Sequence, residues 1–250
     1  MEAAEYARLA ELEDHLWHFA AAHEHIRREL ARRGFGAGRS LLDAGCGTGG
    51  LLRRLHAWFP GATLRGLDAS PEAVTRARAR CSCPVDAGSL LELPYADNSF
   101  DFITCVDVVY QFARPAEGYR QAARCLKPGG ALIVNEPAHR WLRSYHDARV
   151  GGRHRFSRRE LAACLGAAGL RPVYGTHWNC LLLPVIAARR KLFPAPADGA
   201  SDVRDYPAWV CRPLAGVMAL ERAWLRRGGR WPCGTSVLAV ALKGEGPAGR

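Results

Sequence analysis

In Leu41-Leu42-Asp43-Ala44-Gly45-Cys46-Gly47-Thr48-Gly49-Gly50, an acid at the tip of a short apolar run is followed by four glycines. Glycines let a backbone turn tightly and approach a ligand where a Cβ would intrude. Gly45, Gly47 and Gly50 also satisfy G-x-G-x-x-G, the dinucleotide fingerprint, so nicotinamide binding stands as one reading of this segment. A second apolar run, 63–69, ends in Leu67-Asp68-Ala69. An acid at that tip suits two ribose hydroxyls, which points to a nucleoside without choosing which one.

Groups that could move a proton follow the apolar run 131–137: Glu136, His139, His146 and His154. His139 and His154 are the candidate bases, and His146 is a candidate substrate contact. Asp107 with Glu136 is too sparse a pair of acids for a magnesium site, and no metal is expected. The nine cysteines form no C-x-x-C pair, and Cys81 with Cys83 lacks partners at zinc spacing. Free thiols in a reducing cytoplasm are the expectation.

The elements that must hold these groups follow from periodicity. Leu9, Leu12, Leu16, Phe19, His23, Ile26 and Leu30 recur at steps of three and four, which predicts one long amphipathic helix. Apolar strands at 40–45, 63–69, 84–88, 100–109 and 131–137 alternate with helices at 50–58, from Ser70-Pro71-Glu72 onward, and at 119–130, the last ending at Pro and Gly. Ser157 and Glu160 form a capping box that opens a helix over 157–168, and 171–178 and 235–244 read as the sixth and seventh strands. The expected fold is α/β: a doubly wound, mainly parallel seven-stranded sheet with an N-terminal helix and a C-terminal insertion near 180–232, before the last strand.

Asp43-Ala44-Gly45-Cys46-Gly47-Thr48-Gly49 resembles the first motif of class I methyltransferases. Val85-Asp86-Ala87-Gly88-Ser89-Leu90, then Leu93-Pro94-Tyr95-Ala96-Asp97-Asn98-Ser99-Phe100-Asp101, resembles that family's passage from third to fourth strand, and LKPGG (126–130) is a further match. The resemblance covers roughly 38–137 and has no counterpart in dehydrogenases. It implies S-adenosylmethionine as methyl donor and S-adenosylhomocysteine as product. Asp43, Gly45, Cys46, Gly47 and Gly49 would surround the donor's methionine end, Asp68 and Ala69 its ribose, Gly88, Ser89 and Leu90 its adenine, with Asp107 where the fourth strand runs out under the methyl group. Ser89 stands where relatives often carry an acid, and Gln111 where many carry a histidine. Tyr110 and Gln111 then face the substrate, and Trp17 and His18 are candidate lid residues. Methyl transfer is an in-line displacement that positioning accelerates, so no catalytic triad is required.

The segment 137–161 is similar to a bacterial group of these enzymes with an aromatic-rich first helix, but Gly151-Gly152-Arg153-His154-Arg155-Phe156 departs from the group's His-Arg-Arg-Tyr pattern. One domain over 1–250 is expected, with a helical lid at 1–37, a donor-binding half at 38–137 and a substrate-side half at 138–250. The net charge is +11, and all of the excess lies beyond residue 130. That asymmetry suits an acidic acceptor, a transient membrane-surface or lipid contact through Arg189, Arg190 and Lys191, or RNA. RNA is disfavoured because no N-P-P-[YF] motif follows the fourth strand. The acidic opening residues and the lack of a run of about 18 apolar residues suggest a soluble, unexported, cytoplasmic protein. The expected activity is methyl transfer to an O, N or C atom of a small molecule. An RNA methyltransferase and a catalytically silent donor-binding module are the alternatives.

Overall fold

The computed structural model describes residues 3–192 and 206–245, so 193–205 of the expected insertion lies outside the described residues. The strands are β1 (Ser40–Ala44), β2 (Thr63–Asp68), β3 (Val85–Ala87), β4 (Phe100–Val106), β5 (Leu126–Pro137), β6 (Leu170–Trp178) and β7 (Ser236–Lys243). They form a seven-stranded sheet in the order β3-β2-β1-β4-β5-β7-β6. β7 runs antiparallel to β5 and β6, and the other pairings are parallel.

The sheet is covered on both faces, which is why its central strands read as unbroken apolar runs. Along β5, Leu132 and Val134 join one buried cluster while Ala131 and Ile133 join the other, as a period of two requires. The first face carries α5 (Pro115–Cys125) and α7 (Arg158–Ala167), and the second α2 (Trp17–Ala31), α3 (Gly50–Trp58) and α4 (Pro71–Arg80). α1 (Ala3–Leu12) packs on α4, and α9 (Ala208–Arg226) packs on α2. α6 (Tyr145–Arg149) and α8 (Leu183–Leu192) complete the described helices. The caps read from sequence are present: Ser70 accepts the Ala73 N–H, with Pro71 in the first turn, and Ser157 and Glu160 cap α7 reciprocally.

Three expectations need correction. The N-terminal amphipathic stripe is two helices, because the chain breaks at Glu13–Leu16, where Glu13 turns inward to Thr48 and Arg80 and Leu16 takes an extended backbone. The helix placed at 119–130 ends at Cys125, and Leu126–Gly130 already belongs to β5. A Cβ at Gly130 would press within 2.9 Å of the Asp101 carbonyl on β4, so glycine there allows close strand approach rather than ending a helix. The fourth strand stops at Val106 instead of 109, because Asp107 adopts a left-handed backbone with φ of 54°.

Candidate functional site

Strand order reverses between β1 and β4, and in open α/β sheets ligands bind beyond the carboxyl ends of the strands at such a point. A cavity of about 790 Å³ lies there. The turn after β1 is fastened to β2: the Leu67 carbonyl accepts N–H bonds from Gly45 at 2.7 Å and Cys46 at 3.0 Å. The Asp68 carboxylate accepts the Gly47 N–H at 2.8 Å and the Ser70 N–H at 2.9 Å. Gly45 has a φ of 86°, and a Cβ on it would overlap the side chain of Val108, so the turns after β1 and β4 touch backbone to side chain.

Of the residues read from the first motif, Asp43, Gly45, Cys46 and Gly47 line the cavity, and Gly49 does not. Gly49 instead faces α4, where a Cβ would fall 3.3 Å from the Ala77 backbone and closer still to the Cys81 sulfur. Asp68, Ala69, Gly88, Ser89 and Leu90 also line the cavity. Asp86, three residues before Ser89, is turned away to Arg65 at 2.7 Å and to the Tyr95 hydroxyl at 2.8 Å.

Asp43, Asp68 and Asp107 line the cavity, and Glu136 lies behind the turn after β4, outside the lining. Asp43 accepts the Thr104 hydroxyl at 2.7 Å, and burial, helped by nearby Asp68 and Glu13, pushes its carboxyl up to about 7. Burial likewise raises Asp68, against the pull of its backbone N–H partners. Asp107 is pushed up to about 7 by burial, opposed by the Asn135 amide and Arg155. Glu136, weighed with Asp107 as a magnesium pair, accepts the Val109 and Tyr110 N–H groups at 3.1 and 3.2 Å and the Tyr119 hydroxyl at 3.3 Å, so it caps the turn after β4.

One wall is built from the first two helices. Tyr6, Leu9, Glu13, Trp17 and His18 line it. The Glu13 carboxylate accepts the Thr48 hydroxyl at 2.6 Å and pairs with Arg80, while Asp14 pairs with Arg80 at 2.9 Å and with Arg53. His18 stacks on Trp178 at 4.9 Å, and burial beside Arg190 and His146 lowers it to about 4, so it is a neutral imidazole. Tyr6, Glu13 and Arg80 were not singled out from the sequence. Glu13 and Arg80 meet across 67 residues, which spacing along the chain does not reveal.

The lining also contains Tyr110, Gln111 and His146, together with Arg155, Arg189 and Arg190. Arg155 is buried in a two-bond pair with Asp147, at 2.6 and 3.1 Å. Leu182, Val185 and Ile186 add apolar surface to the lining. The Lys191 ammonium leaves it and donates to the Arg143 carbonyl at 3.3 Å. The two candidate bases, His139 and His154, lie outside the cavity lining. The bridge between Ala138 and Phe156 carries His139 onto His177, 4.8 Å between rings, and places His154 beside Phe156.

Among the described residues no helix is long and apolar enough to cross a membrane, and no three metal-ligating side chains cluster. Residues 42–134 match the family model described as a methyltransferase domain. The chain is similar to the malonyl-[acyl-carrier protein] O-methyltransferase of Dechloromonas aromatica, 42% identical over 94 residues, covering 38% of this chain and 35% of that protein. It is also similar to the demethylmenaquinone methyltransferase of Tropheryma whipplei, 37% identical over 119 residues, covering 46% of this chain and 49% of that one. The chain thus spans half or less of the length of these curated relatives. In fold it resembles the Haloferax volcanii protein solved in complex with the Trm112 methyltransferase activator, with a TM-score of 0.65, 24% identity and coverage of 98% and 97% of the two chains. The strand order, the fastened glycine turn and the match over residues 42–134 mark this part of the chain as a methyltransferase domain with the class I, Rossmann-like fold.

Proposed function

We propose that this protein transfers the methyl group of S-adenosylmethionine to an O, N or C atom of a small-molecule acceptor, such as a specialised metabolite, a peptide product or a lipid-like precursor. The observation that carries this reading is a cavity whose lining holds Gly45, Asp43 and Asp68 together with Tyr110, His146 and the apolar side chains of α8. Donor and acceptor can therefore share one cavity. Each Asp68 oxygen has a lone pair left after its backbone bond, enough to accept the two ribose hydroxyls. Ser89 and Leu90 would hold the adenine, and Asp43 the donor's amino group.

S-adenosylmethionine, when bound, supplies a methyl carbon activated by a positively charged sulfur. The protein's part is to align an acceptor with that carbon and to exclude water, for which Trp17, His18 and Tyr110 are placed. With His139 and His154 outside the lining, neither is retained as a base in this proposal. Arg189 and Arg190 stand in the cavity wall, which favours contact with an acceptor over a membrane-surface role. The relatives named for malonyl-[acyl-carrier protein] and demethylmenaquinone methylation support a small-molecule acceptor over RNA.

Thermal melting tests the donor assignment. S-adenosylmethionine or S-adenosylhomocysteine should raise the melting temperature by mass action, and NADH should not. Tight NADH binding with no response to either adenosyl compound would overturn it.

A further inference from the structure

Trp178 is fully buried, and its indole N–H donates to the Asn135 side-chain oxygen at 2.7 Å. Indole nitrogen only donates, so this bond fixes which end of the Asn135 amide is oxygen. The amide NH2 must then point the other way, and it donates to Asp107 Oδ1 at 3.1 Å. The Asp107 backbone is held as well: its N–H donates to the Asn135 carbonyl at 2.8 Å, and its φ of 54° swings it out of β4. One carboxylate oxygen is thereby anchored from β5, on a residue that lines the cavity at the end of β4.

We infer that Asp107 is the proton acceptor of the reaction, its free oxygen facing the acceptor atom, with Asn135 and Trp178 as positioning residues. This rests on the donor reading proposed above. The step balances without a further reagent. The acceptor's lone pair forms a bond to the methyl carbon as the carbon–sulfur bond breaks, its electrons stay on sulfur as a neutral thioether, and the acceptor's proton passes to Asp107. The acceptor therefore carries an O–H or N–H group at the methylated atom.

Two carboxyls of this cavity, Asp43 and Asp107, are raised to about 7, and Asp107 is the one at the end of β4. Tyr110 in the following turn and Cys105 on β4 are raised by burial, which keeps both neutral at that pH, and Glu136 on β5 is raised by burial and by Asp107 while accepting the Val109 and Tyr110 N–H groups. Arg155, the cation acting on Asp107, is held by Asp147. A carboxyl raised by burial to about 7 is half ionised near neutral pH, as a general base requires.

Sinefungin tests this without knowing the acceptor. It carries an amine where the donor carries its methyl group, and that ammonium presents N–H bonds toward the acceptor side. S-adenosylhomocysteine has the same amino-acid tail and no such amine, so effects through Asp43 or Asp68 cancel in the ratio of the two affinities. The wild-type preference for sinefungin should rise about tenfold or more as pH increases from about 5.5 to 8. In Asp107→Asn the preference should be small and flat while S-adenosylhomocysteine still binds. Asn135→Leu and Trp178→Phe should shift the midpoint upward, because the ionised carboxylate loses its donor or that donor's anchor. A flat wild-type ratio, or an unchanged rise in Asp107→Asn, would overturn the assignment. Failure of S-adenosylhomocysteine to bind at any pH would instead remove the donor reading, and this inference with it.

Discussion

Asp68 at the end of β2 accepts the backbone N–H of Gly47 at 2.8 Å, so the strand-end acid and the glycine turn after β1 form one unit. From sequence alone, Asp68→Ala should weaken donor binding without unfolding the protein, the alternative being an acid that caps the helix near Ser70. The bonds to Gly47 and Ser70 add a stability cost, because two backbone donors lose their partner. Loss of a charged partner costs about 1.5–3 kcal/mol, which corresponds to roughly 10- to 150-fold weaker donor binding. The denaturant midpoint should fall as well, and Asp68→Asn should lose less of both. Calorimetry with S-adenosylhomocysteine on the folded variant separates the effects, and an unchanged dissociation constant would take Asp68 out of the site.

Gly45→Ala should be worse than its small size suggests. The new methyl would overlap Val108 while the backbone stays at a φ of 86°. Strain of this kind costs about 1–3 kcal/mol, and relieving it means moving the turn or Val108, either of which deforms the cavity. Gly34→Ala is the control, since Gly34 has a φ of 72° with nothing within 4 Å. Both variants should lose stability, and only Gly45→Ala should lose donor affinity. Equal affinities would show that the turn tolerates a side chain.

What could be read from sequence was local. The Asp43–Gly47 turn, the Asp68 tip and the caps at Ser70 and Ser157 are set within a few residues, so spacing and residue type suffice to find them. What escaped depends on contacts far along the chain. Glu13 meets Thr48 across 35 residues and Arg80 across 67, and those contacts break a helix that periodicity drew as continuous. The β5 start was missed because Pro128 and Gly129 look like a helix stop, while their real role is an irregular pairing with β4 that only the neighbouring strand reveals. His139 and His154 follow a strand that does end at the cavity, but the bridge from Ala138 to Phe156 turns that segment away from it.

Arg80→Ala tests whether the N-terminal helices are latched to the donor turn. Arg80 pairs with both Glu13 and Asp14, and Glu13 is only 5% exposed. Removing the cation should cost about 1–3 kcal/mol, between the values for exposed and buried pairs. The loss should be local: faster proteolysis before residue 17, and weaker S-adenosylhomocysteine binding because Tyr6 and Leu9 leave the cavity wall. Glu13→Gln should be milder, since the amide still accepts the Thr48 hydroxyl and no buried charge is stranded. Unchanged proteolysis and affinity in Arg80→Ala would rule out the latch.

The final prediction is that donor binding releases a proton near neutral pH, through Asp43. Burial, with Asp68 and Glu13 close by, raises the Asp43 carboxyl to about 7, so in the ligand-free protein it is partly protonated at pH 6.5. Because its folded-state value lies above the ordinary one, the stability it contributes is fully present below about pH 4 and is lost as pH rises through about 7. A cationic amino group placed against Asp43 favours the ionised form and lowers its pKa, so binding expels the proton. Donor affinity should therefore increase from pH 5.5 to 8. Calorimetric enthalpies at pH 6.5 in two buffers of different ionisation enthalpy should differ, and the number of protons released should fall as the pH rises past about 7, where Asp43 is already ionised. Asp43→Asn should remove its share of the release and flatten the decline in stability between pH 4 and 7. An Asn variant that releases as many protons as the wild type would place the amino group elsewhere in the cavity.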